Sequence, residues 1–242
     1  MKKLDAFQIK IFLLVLMLLD HVYFAFPEIM PVWIHALTRG VAPMFAYFLV
    51  EGYYHTRNKT RYGIRLFAWA IFMQIGNLII NNLFASKEIV IYNNIFATLF
   101  VGFIIISIIQ LSKNYKGFKK VTLVILSILI TGVGCFMTEG GISVIPFIII
   151  TYMFRDNQKK EFIGYIILSI ILFIMNFNVY PTFKATFDMM LFNSDFLLIL
   201  SIPTILTYNG ERGLNNKFSK YLFYVFYPLH IWGLALLEFI VR

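Results

Sequence analysis

Long apolar blocks separated by short polar connections are the feature of this sequence that most limits its possible folds. Hydrophobic residues make up 60% of the 242 residues, and charged residues only 14%. A soluble domain of this size carries more charge on its surface. A block of about 20 apolar residues has the length that a helix needs to cross a bilayer. The sequence therefore predicts an all-α, polytopic integral membrane helical bundle. Such a chain is a multi-pass protein of the cell membrane, with the lipid bilayer as a partner.

The apolar blocks predict about nine spans within one transmembrane domain over residues 1–242. No polar stretch is long enough to bury a soluble core of its own. The block at 141–154 is short and contains Pro146, and the block at 189–208 contains Pro203. The predicted spans lie at residues 8–26, 33–54, 62–81, 92–111, 120–137, 141–154, 161–178, 189–208 and 220–240.

Basic residues alternate between successive connections. Seventeen of the 21 Lys and Arg residues lie at the N-terminus or in every second connection, three lie in the other connections, and Arg39 falls within a span. Cytoplasmic loops of membrane proteins carry an excess of Lys and Arg. We therefore predict a cytoplasmic N-terminus and an external C-terminus. The net charge of +9 then reflects orientation in the membrane, and we expect no nucleic-acid partner.

Motifs for metal or nucleotide chemistry are missing from the sequence. The one cysteine, Cys135, lies in an apolar block, so a disulfide within the chain and a cysteine-based zinc site are excluded. The sequence contains no HExxH, Walker, GxGxxG or GxSxG motif. We therefore expect no metal cofactor.

Ionisable residues inside the apolar blocks are candidates for function, because a buried charge in a bilayer is costly unless it is paired or hydrated. Lys10 and His21 are eleven residues apart, which places them on one helix face about 16 Å apart along the axis. Lys10 would mark the cytoplasmic entrance of a groove, and His21 would lie deeper in it. Asp20, about 100° round the helix, could hold a neighbouring helix or a ring nitrogen. The candidates are Asp20, His21, His35, Arg39, Glu51, Glu139, Asp195 and His230.

Structural roles compete with functional ones at each of these positions. Asp20 could pair with Arg39 simply to join two helices. A single histidine in a membrane more often packs than catalyses, although two histidines, an aspartate and an arginine at similar depth favour a site. His35 is expected at the membrane interface. Glu51 and His55 could only cap or bridge near the cytoplasmic surface.

Four stretches of the chain resemble the TraX family. They are "LDAFQIKIFLLVLMLLDHVYF" at the start, then "RGVAPMFAYFLVEGYYHTRNKTRYGIRL", "YNGERG", and "KYLFYVFYPLHIWGL" at the end. In that family a Lys-containing span ends in Met-x-x-Asp-His, and the last span carries Tyr-Pro-x-His. The match runs in order over nearly the whole chain, and residues from about 83 to 200 are only generically similar. The sequence departs from the family at Arg39-Gly40, where Gly-Arg is expected.

The resemblance implies a membrane acyltransferase. TraX proteins are named for the N-terminal acetylation of pilin, and the family is similar to the acyltransferase-3 superfamily. That superfamily has a basic residue, normally Arg, eleven residues before a histidine in its first helix. Lys10 and His21 keep this spacing with Lys in place of Arg. The resemblance further implies cytoplasmic acetyl-CoA as the acyl donor. The acceptor would be the N-terminal amine of a peptide or pilin-like protein, or a glycan hydroxyl.

The resemblance and the depth argument together assign roles to the candidate residues. His21 would act as general base or carry the acetyl group, and Asp20 would fix its tautomer. Arg39 would stabilise the oxyanion or hold Asp20, and His230 with Tyr227 would orient the acceptor. Glu51 and His55 are further candidates for substrate binding. The phosphates of acetyl-CoA would meet basic side chains, namely Lys10, Arg57, Lys59, Arg61 and Arg65.

Two rival functions remain open. A proton-coupled transporter or flippase could use the same buried charges. Binding of acetyl-CoA separates it from an enzyme, because only the enzyme should be stabilised by that ligand. A structural partner without chemistry would tolerate apolar replacement of His21 and His230.

Overall fold

The fold is entirely helical throughout the part of the chain described by this computed structural model, residues 3–242. Over that range the only β-type pairing is an isolated bridge between Leu4 and Tyr208. Two short 3₁₀ segments occupy Ala85–Lys87 and Asp195–Leu200. Helices α1 to α11 span Ala6–Ala25, Val32–Thr38, Val41–His55, Lys59–Leu83, Ile95–Ser112, Gly117–Met137, Gly141–Phe154, Gln158–Asn176, Phe183–Phe192, Ser201–Thr207 and Lys217–Val241.

Five of these helices are long and apolar enough to cross a membrane: α1, α4, α5, α6 and α11. A sixth span results if Phe183–Phe192 and Asp195–Thr207 are taken together across their 54° bend. Each of the nine predicted blocks contains helix, so the prediction of an all-α chain with several apolar spans is confirmed. The count of nine spans and their orientation stay predictions. Helix α7, at Gly141–Phe154, is apolar but shorter than a full span.

The second predicted span, 33–54, is two helices rather than one. Helix α2 ends at Thr38 with Arg39 as its C-cap, and α3 begins at Val41. A Cβ added at Gly40, between them, would lie 3.2 Å from the backbone of both Leu200 and Ser201. Glycine therefore favours the close approach of this connection to the backbone at the start of α10.

The first helix is fixed at its beginning by two sets of hydrogen bonds. The Asp5 side chain accepts from the backbone N–H of Gln8 at 2.8 Å, and the Gln8 side chain accepts from the N–H of Asp5 at 3.1 Å. Such a capping box satisfies N–H groups that have no partner within the helix. The neighbouring backbone also donates from Ala6 to Glu211 and accepts at Leu4 from Asn209, both at 2.9 Å. The "YNGERG" stretch thus anchors the start of α1.

The chain divides into two compact units, each assembled from separated segments. Unit 1 contains α1, α2 and α9 to α11, and unit 2 contains α5 to α7. Unit 1 consists of the stretch ending at Met44, Ile75–Tyr92 and Ser169–Arg242, and unit 2 consists of Phe45–Gln74 and Asn93–Leu168. The single domain over 1–242 remains a prediction.

Close packing of α4 against α11 within unit 1 gives a test of stability. A Cβ added at Gly76 would overlap the ring of Trp232, whereas one added at Gly233 meets no atom within 4 Å. We expect Gly76→Ala to lower the free energy of unfolding by about 1–3 kcal/mol, as overpacking does. Gly233→Ala is the matched control and should not destabilise, since Ala is the better helix former. Unfolding in detergent measures both variants, and equal effects would contradict the packing at Gly76.

A buried hydrogen-bond network within unit 2 gives a second test. The Tyr165 hydroxyl lies 2.6 Å from the Glu161 carboxylate and 2.7 Å from the Thr151 hydroxyl. Removing one partner of a buried polar group costs about 1–3 kcal/mol. We therefore expect Tyr165→Phe to destabilise the protein by that amount, while Tyr92→Phe, at an 84% exposed position, changes little. A loss for Tyr165→Phe no larger than that for Tyr92→Phe would show that Glu161 does not need this donor.

Candidate functional site

Two histidines from opposite ends of the sequence meet where α1 packs against α11. Nε2 of His230 lies 3.1 Å from Nδ1 of His21, and the ring centroids are 4.9 Å apart. Each Nδ1 is also 2.8 Å from a backbone carbonyl four residues earlier, that of Met17 for His21 and that of Phe226 for His230. His230 is buried and His21 is half-buried. We call these two residues the histidine pair.

The hydrogen bonds assign the ring hydrogens of the histidine pair when both rings are neutral. A carbonyl oxygen only accepts, so Nδ1 of His230 must carry a hydrogen, and its Nε2 is then an acceptor. Nδ1 of His21 faces that acceptor and the Met17 carbonyl, so it carries a hydrogen as well. Nε2 of His21 therefore keeps a lone pair, and no atom of residues 3–242 forms a hydrogen bond with it. A lone pair of this kind can take a proton or attack a carbonyl carbon.

Aromatic side chains of α11 hold the pair in place. The ring of Phe226 is stacked on His230, with centroids 4.9 Å apart. Tyr227 is buried, and its ring lies edge-on to both histidines, 6.4 Å from His21 and 5.7 Å from His230. The predicted grouping of His21, His230 and Tyr227 is thus present within unit 1.

Asp20, the neighbour of His21 in the sequence, bonds to α2 instead of to His21. Its Oδ1 accepts from the Thr38 hydroxyl at 2.6 Å and lies 2.8 Å from Nδ1 of His35. Its Oδ2 accepts from Nη2 of Arg39 at 2.6 Å. The expectation that Asp20 fixes the tautomer of His21 does not match this geometry. The alternative prediction, in which Asp20 and Arg39 join two helices, does match it.

His35 is buried, with 4% of its surface exposed. Its expected position at the membrane interface stays a prediction. Its Nδ1 faces the Asp20 carboxylate, and its Nε2 lies 3.0 Å from the backbone carbonyl of Phe192 on α9. Both partners are acceptors, so both contacts are satisfied together only when both ring nitrogens carry hydrogen. His35 thereby connects α1, α2 and α9.

Arg39 lies between two carboxylates and a backbone oxygen. Besides its bond to Asp20, Nη1 is 3.6 Å from Asp195, and Nε donates to the His35 carbonyl at 3.2 Å. We call Asp20, His35, Thr38 and Arg39 the aspartate cluster. Sequence reasoning did not single out Thr38, although its place three residues after His35 on the same short helix was a usable signal.

Lys10 lies about three turns before His21 on α1 and also faces α11. Its Nζ is 5.3 Å from the ring centroid of Phe223, which precedes His230 by seven residues. Lys10 and His21 thus face the same partner helix. This is the arrangement that their spacing of eleven residues predicted.

The other predicted ligand-binding residues belong to unit 2. Glu51 forms ion pairs with Arg155 at 3.0 Å and with His55 at 3.4 Å, as expected for a bridging role. Nζ of Lys59 lies 4.1 Å from the Tyr53 ring centroid, and the Arg65 guanidinium lies 5.4 Å from that of Tyr62. The backbone N–H of Arg61 donates to Asn58, and Arg57 is exposed. Their binding roles remain predictions.

Among residues 3–242, no group of three or more His, Cys, Asp or Glu side chains is arranged to hold a metal ion.

Several apolar helices with buried histidine and carboxylate groups define a multi-pass membrane protein. The family model described as "TraX protein" matches residues 6–238. The chain therefore belongs to the TraX family.

A protein from Dichelobacter nodosus, named "Probable fimbrial assembly protein FimC, serogroup H1", is similar to this chain over almost its whole length. The two are 24% identical over 238 residues, which cover 94% of this chain and 93% of that protein. No solved structure matches the chain significantly.

Proposed function

We propose that this protein is a membrane-embedded acetyltransferase. It would move an acetyl group from cytoplasmic acetyl-CoA to the N-terminal amine of a peptide or pilin-like protein, or to a glycan hydroxyl. The observation that carries the proposal is the 3.1 Å contact between Nδ1 of His21 and Nε2 of His230, from which we infer a lone pair on Nε2 of His21. Membership of the TraX family and the fimbrial name of the similar protein favour a pilin-like acceptor.

His21 is the proposed general base. Its Nε2 takes the proton from the acceptor amine or hydroxyl as that group attacks the thioester carbonyl carbon. The tetrahedral intermediate then breaks its carbon–sulfur bond, and the departing sulfur takes the proton back from His21. The hydrogen bond from Nδ1 of His21 to Nε2 of His230 stabilises the positive charge that the ring carries between these steps.

Direct acyl transfer through His21 is the other form of this mechanism. Nε2 would attack the thioester itself, release CoA, and hand the acetyl group to the acceptor in a second step. Both forms need the same lone pair. They differ in whether an acetylated protein forms when the acceptor is withheld.

In this proposal the aspartate cluster positions His21, because it fixes the part of α1 that carries His21. Asp20 binds α2 through three side chains while the adjacent His21 faces α11. Arg39 is engaged with Asp20, so we assign it the task of holding Asp20 and not of stabilising the oxyanion. His230 acts through His21, and Tyr227 borders the place where an acceptor would lie.

The topology proposed for this function has about nine spans and a cytoplasmic N-terminus. Three basic residues in unit 2 support the assignment of their connections to one side of the membrane. Lys59, Lys113 and Arg155 come from three connections that the charge alternation assigns to the cytoplasm, and all three contact tyrosines that touch one another. The basic residues proposed for the donor phosphates are Lys10 in unit 1 and Arg57, Lys59, Arg61 and Arg65 in unit 2.

Binding of acetyl-CoA to the purified protein tests the proposal. A ligand at 100 times its Kd stabilises a folded protein by about 2.7 kcal/mol. We therefore expect acetyl-CoA to raise the unfolding temperature in detergent, and isotope-labelled acetyl to reach a peptide amine or glycan in proteoliposomes. Acetate at the same concentration is the control. An unchanged unfolding temperature together with no labelled acceptor would contradict an acyl-CoA-dependent enzyme.

A proton-coupled transporter or flippase is the second candidate, because the aspartate cluster contains the buried ionisable residues Asp20 and His35, which are of the kind found in proton relays. It predicts proton movement across proteoliposome membranes without any acetyl donor. Such movement, lost in Asp20→Asn and accompanied by no stabilisation by acetyl-CoA, would favour the transporter over the enzyme.

A further inference from the structure

Three tyrosines in unit 2 form a continuous aromatic patch. The rings of Tyr54 and Tyr152 are stacked with centroids 5.7 Å apart, and Tyr53 lies edge-on to both at 5.9 and 6.1 Å. Tyr53 and Tyr152 are buried, while 39% of Tyr54 is exposed. The patch is thus fixed from beneath and reaches the surface through Tyr54.

Each ring of this patch is in contact with a cationic side chain. Nζ of Lys59 is 4.1 Å from the Tyr53 ring centroid, and the Arg155 guanidinium is 4.4 Å from that of Tyr54. Nζ of Lys113 is 4.9 Å from the Tyr152 centroid and 3.3 Å from its hydroxyl. We call these six residues the tyrosine–cation cluster.

The three cations come from separate connections, which makes their meeting informative. Lys59 begins α4, Lys113 follows α5, and Arg155 follows α7. Nothing in local sequence brings them together, and like charges repel when they converge. Cation–ring contacts recover only part of that cost at exposed positions.

Carboxylates offset only part of this positive charge. Glu51 pairs with Arg155 and His55, and exposed Asp156 lies 3.9 Å from Arg155. Over residues 3–242, neither Lys59 nor Lys113 forms an ion pair with a carboxylate, and both are exposed. The cluster therefore presents two ammonium groups beside an exposed aromatic surface.

We propose that the tyrosine–cation cluster is a binding site for a phosphate ester at the membrane surface. Phosphate oxygens accept charge-assisted hydrogen bonds from lysine and arginine, and Tyr54 offers an apolar face beside them. The same chemistry is present in a soluble nucleotide and in the head group of an anionic phospholipid. The proposal concerns unit 2 alone and shares Lys59 with the residues proposed for the acetyl donor. It holds whether or not acetyl transfer takes place at His21.

Binding measurements on the full-length protein test this site with two probes. The first is ADP, titrated calorimetrically against the protein in neutral detergent. The second is phosphatidylglycerol, whose retention by the protein is compared with that of phosphatidylcholine in native mass spectrometry. The test variant combines Lys59→Gln and Lys113→Gln. These two were chosen because neither side chain forms an ion pair with a carboxylate, so their replacement leaves no carboxylate unpaired. Loss of two charge-assisted contacts should weaken binding of the true ligand about tenfold or more.

A matched control is available on the neighbouring segment. Lys116 and Lys120 are exposed and lie outside the cluster, and changing both to Gln removes the same charge. A selective loss of ADP affinity in the test variant identifies a soluble phosphate ester, and a selective loss of phosphatidylglycerol identifies a lipid. The proposal is overturned if the wild-type protein binds neither probe, or if the test and control variants weaken binding equally. A protein that binds a probe here but transfers no acetyl group would refute only the enzymatic function.

Discussion

His21→Ala is expected to lower the rate of acetyl transfer by about 10²–10⁴-fold, the usual contribution of a general base. The reason is the lone pair on Nε2 of His21, which no other described side chain replaces at that place. His21 makes one bond to a carbonyl of its own helix and one to His230, so its removal should leave the protein folded in the membrane. Transfer of labelled acetyl by purified protein in proteoliposomes measures the loss.

Two companion measurements separate chemistry from packing at His21. Added imidazole should restore part of the activity of His21→Ala, because the substitution opens space where the free base can bind. His230→Ala should cost less, on the order of tenfold, since it removes one hydrogen bond to the base and not the base itself. Full activity in His21→Ala would remove this residue from the mechanism. If His21→Ala and His230→Ala lost equal activity, and imidazole restored none of it to His21→Ala, His21 would have a structural role.

Asp20→Ala is expected to destabilise the protein by about 3–5 kcal/mol, as happens when one partner of a buried ion pair is removed. The carboxylate of Asp20 accepts from Thr38 and Arg39 and contacts His35. Its loss leaves the cationic Arg39 without its closest acidic partner and Nδ1 of His35 without an acceptor, and it removes one of the two acceptors of the Thr38 hydroxyl. The effect should therefore be the largest among the side chains that hold α1, α2 and α9 together.

Asp195→Ala is the matched control for this prediction. Asp195 lies 3.6 Å from the same guanidinium, but its side chain is 41% exposed, and exposed pairs contribute about 0–1 kcal/mol. Unfolding in detergent should therefore separate the two variants clearly. A loss for Asp20→Ala no larger than that for Asp195→Ala would contradict the aspartate cluster as the element that joins these helices.

Most of the fold could be predicted from hydrophobic periodicity and length. Each apolar block became helix, because a chain in a bilayer must satisfy its backbone hydrogen bonds internally. The break at Arg39 and Gly40 was not predictable in this way. It lies where the backbone of Leu200 and Ser201 approaches Gly40 from a distant part of the sequence, and local periodicity carries no information on such a contact. The division of residues 183–207 into short helices was likewise not predictable from periodicity.

Sequence reasoning predicted those features of the candidate site that depend only on the geometry of a single helix. The eleven-residue spacing put Lys10 and His21 on one face, and both contact α11. The rotation between Asp20 and His21 also correctly implied that they face different neighbours. The identity of those neighbours required tertiary contacts, so the bond from Asp20 to His35 and the cover that Phe192 gives to His35 were missed. The tyrosine–cation cluster, built from three connections, was missed for the same reason.

Mass spectrometry of secreted peptides and envelope glycans tests acetyl transfer most directly. The comparison uses cells with the protein, cells without it, and cells that carry the His21→Ala chain in its place. We predict that one acceptor, a peptide N-terminus or a glycan, carries an acetyl group only in the cells with the wild-type chain. Identical acetylation in all three would contradict the proposed transferase and its base.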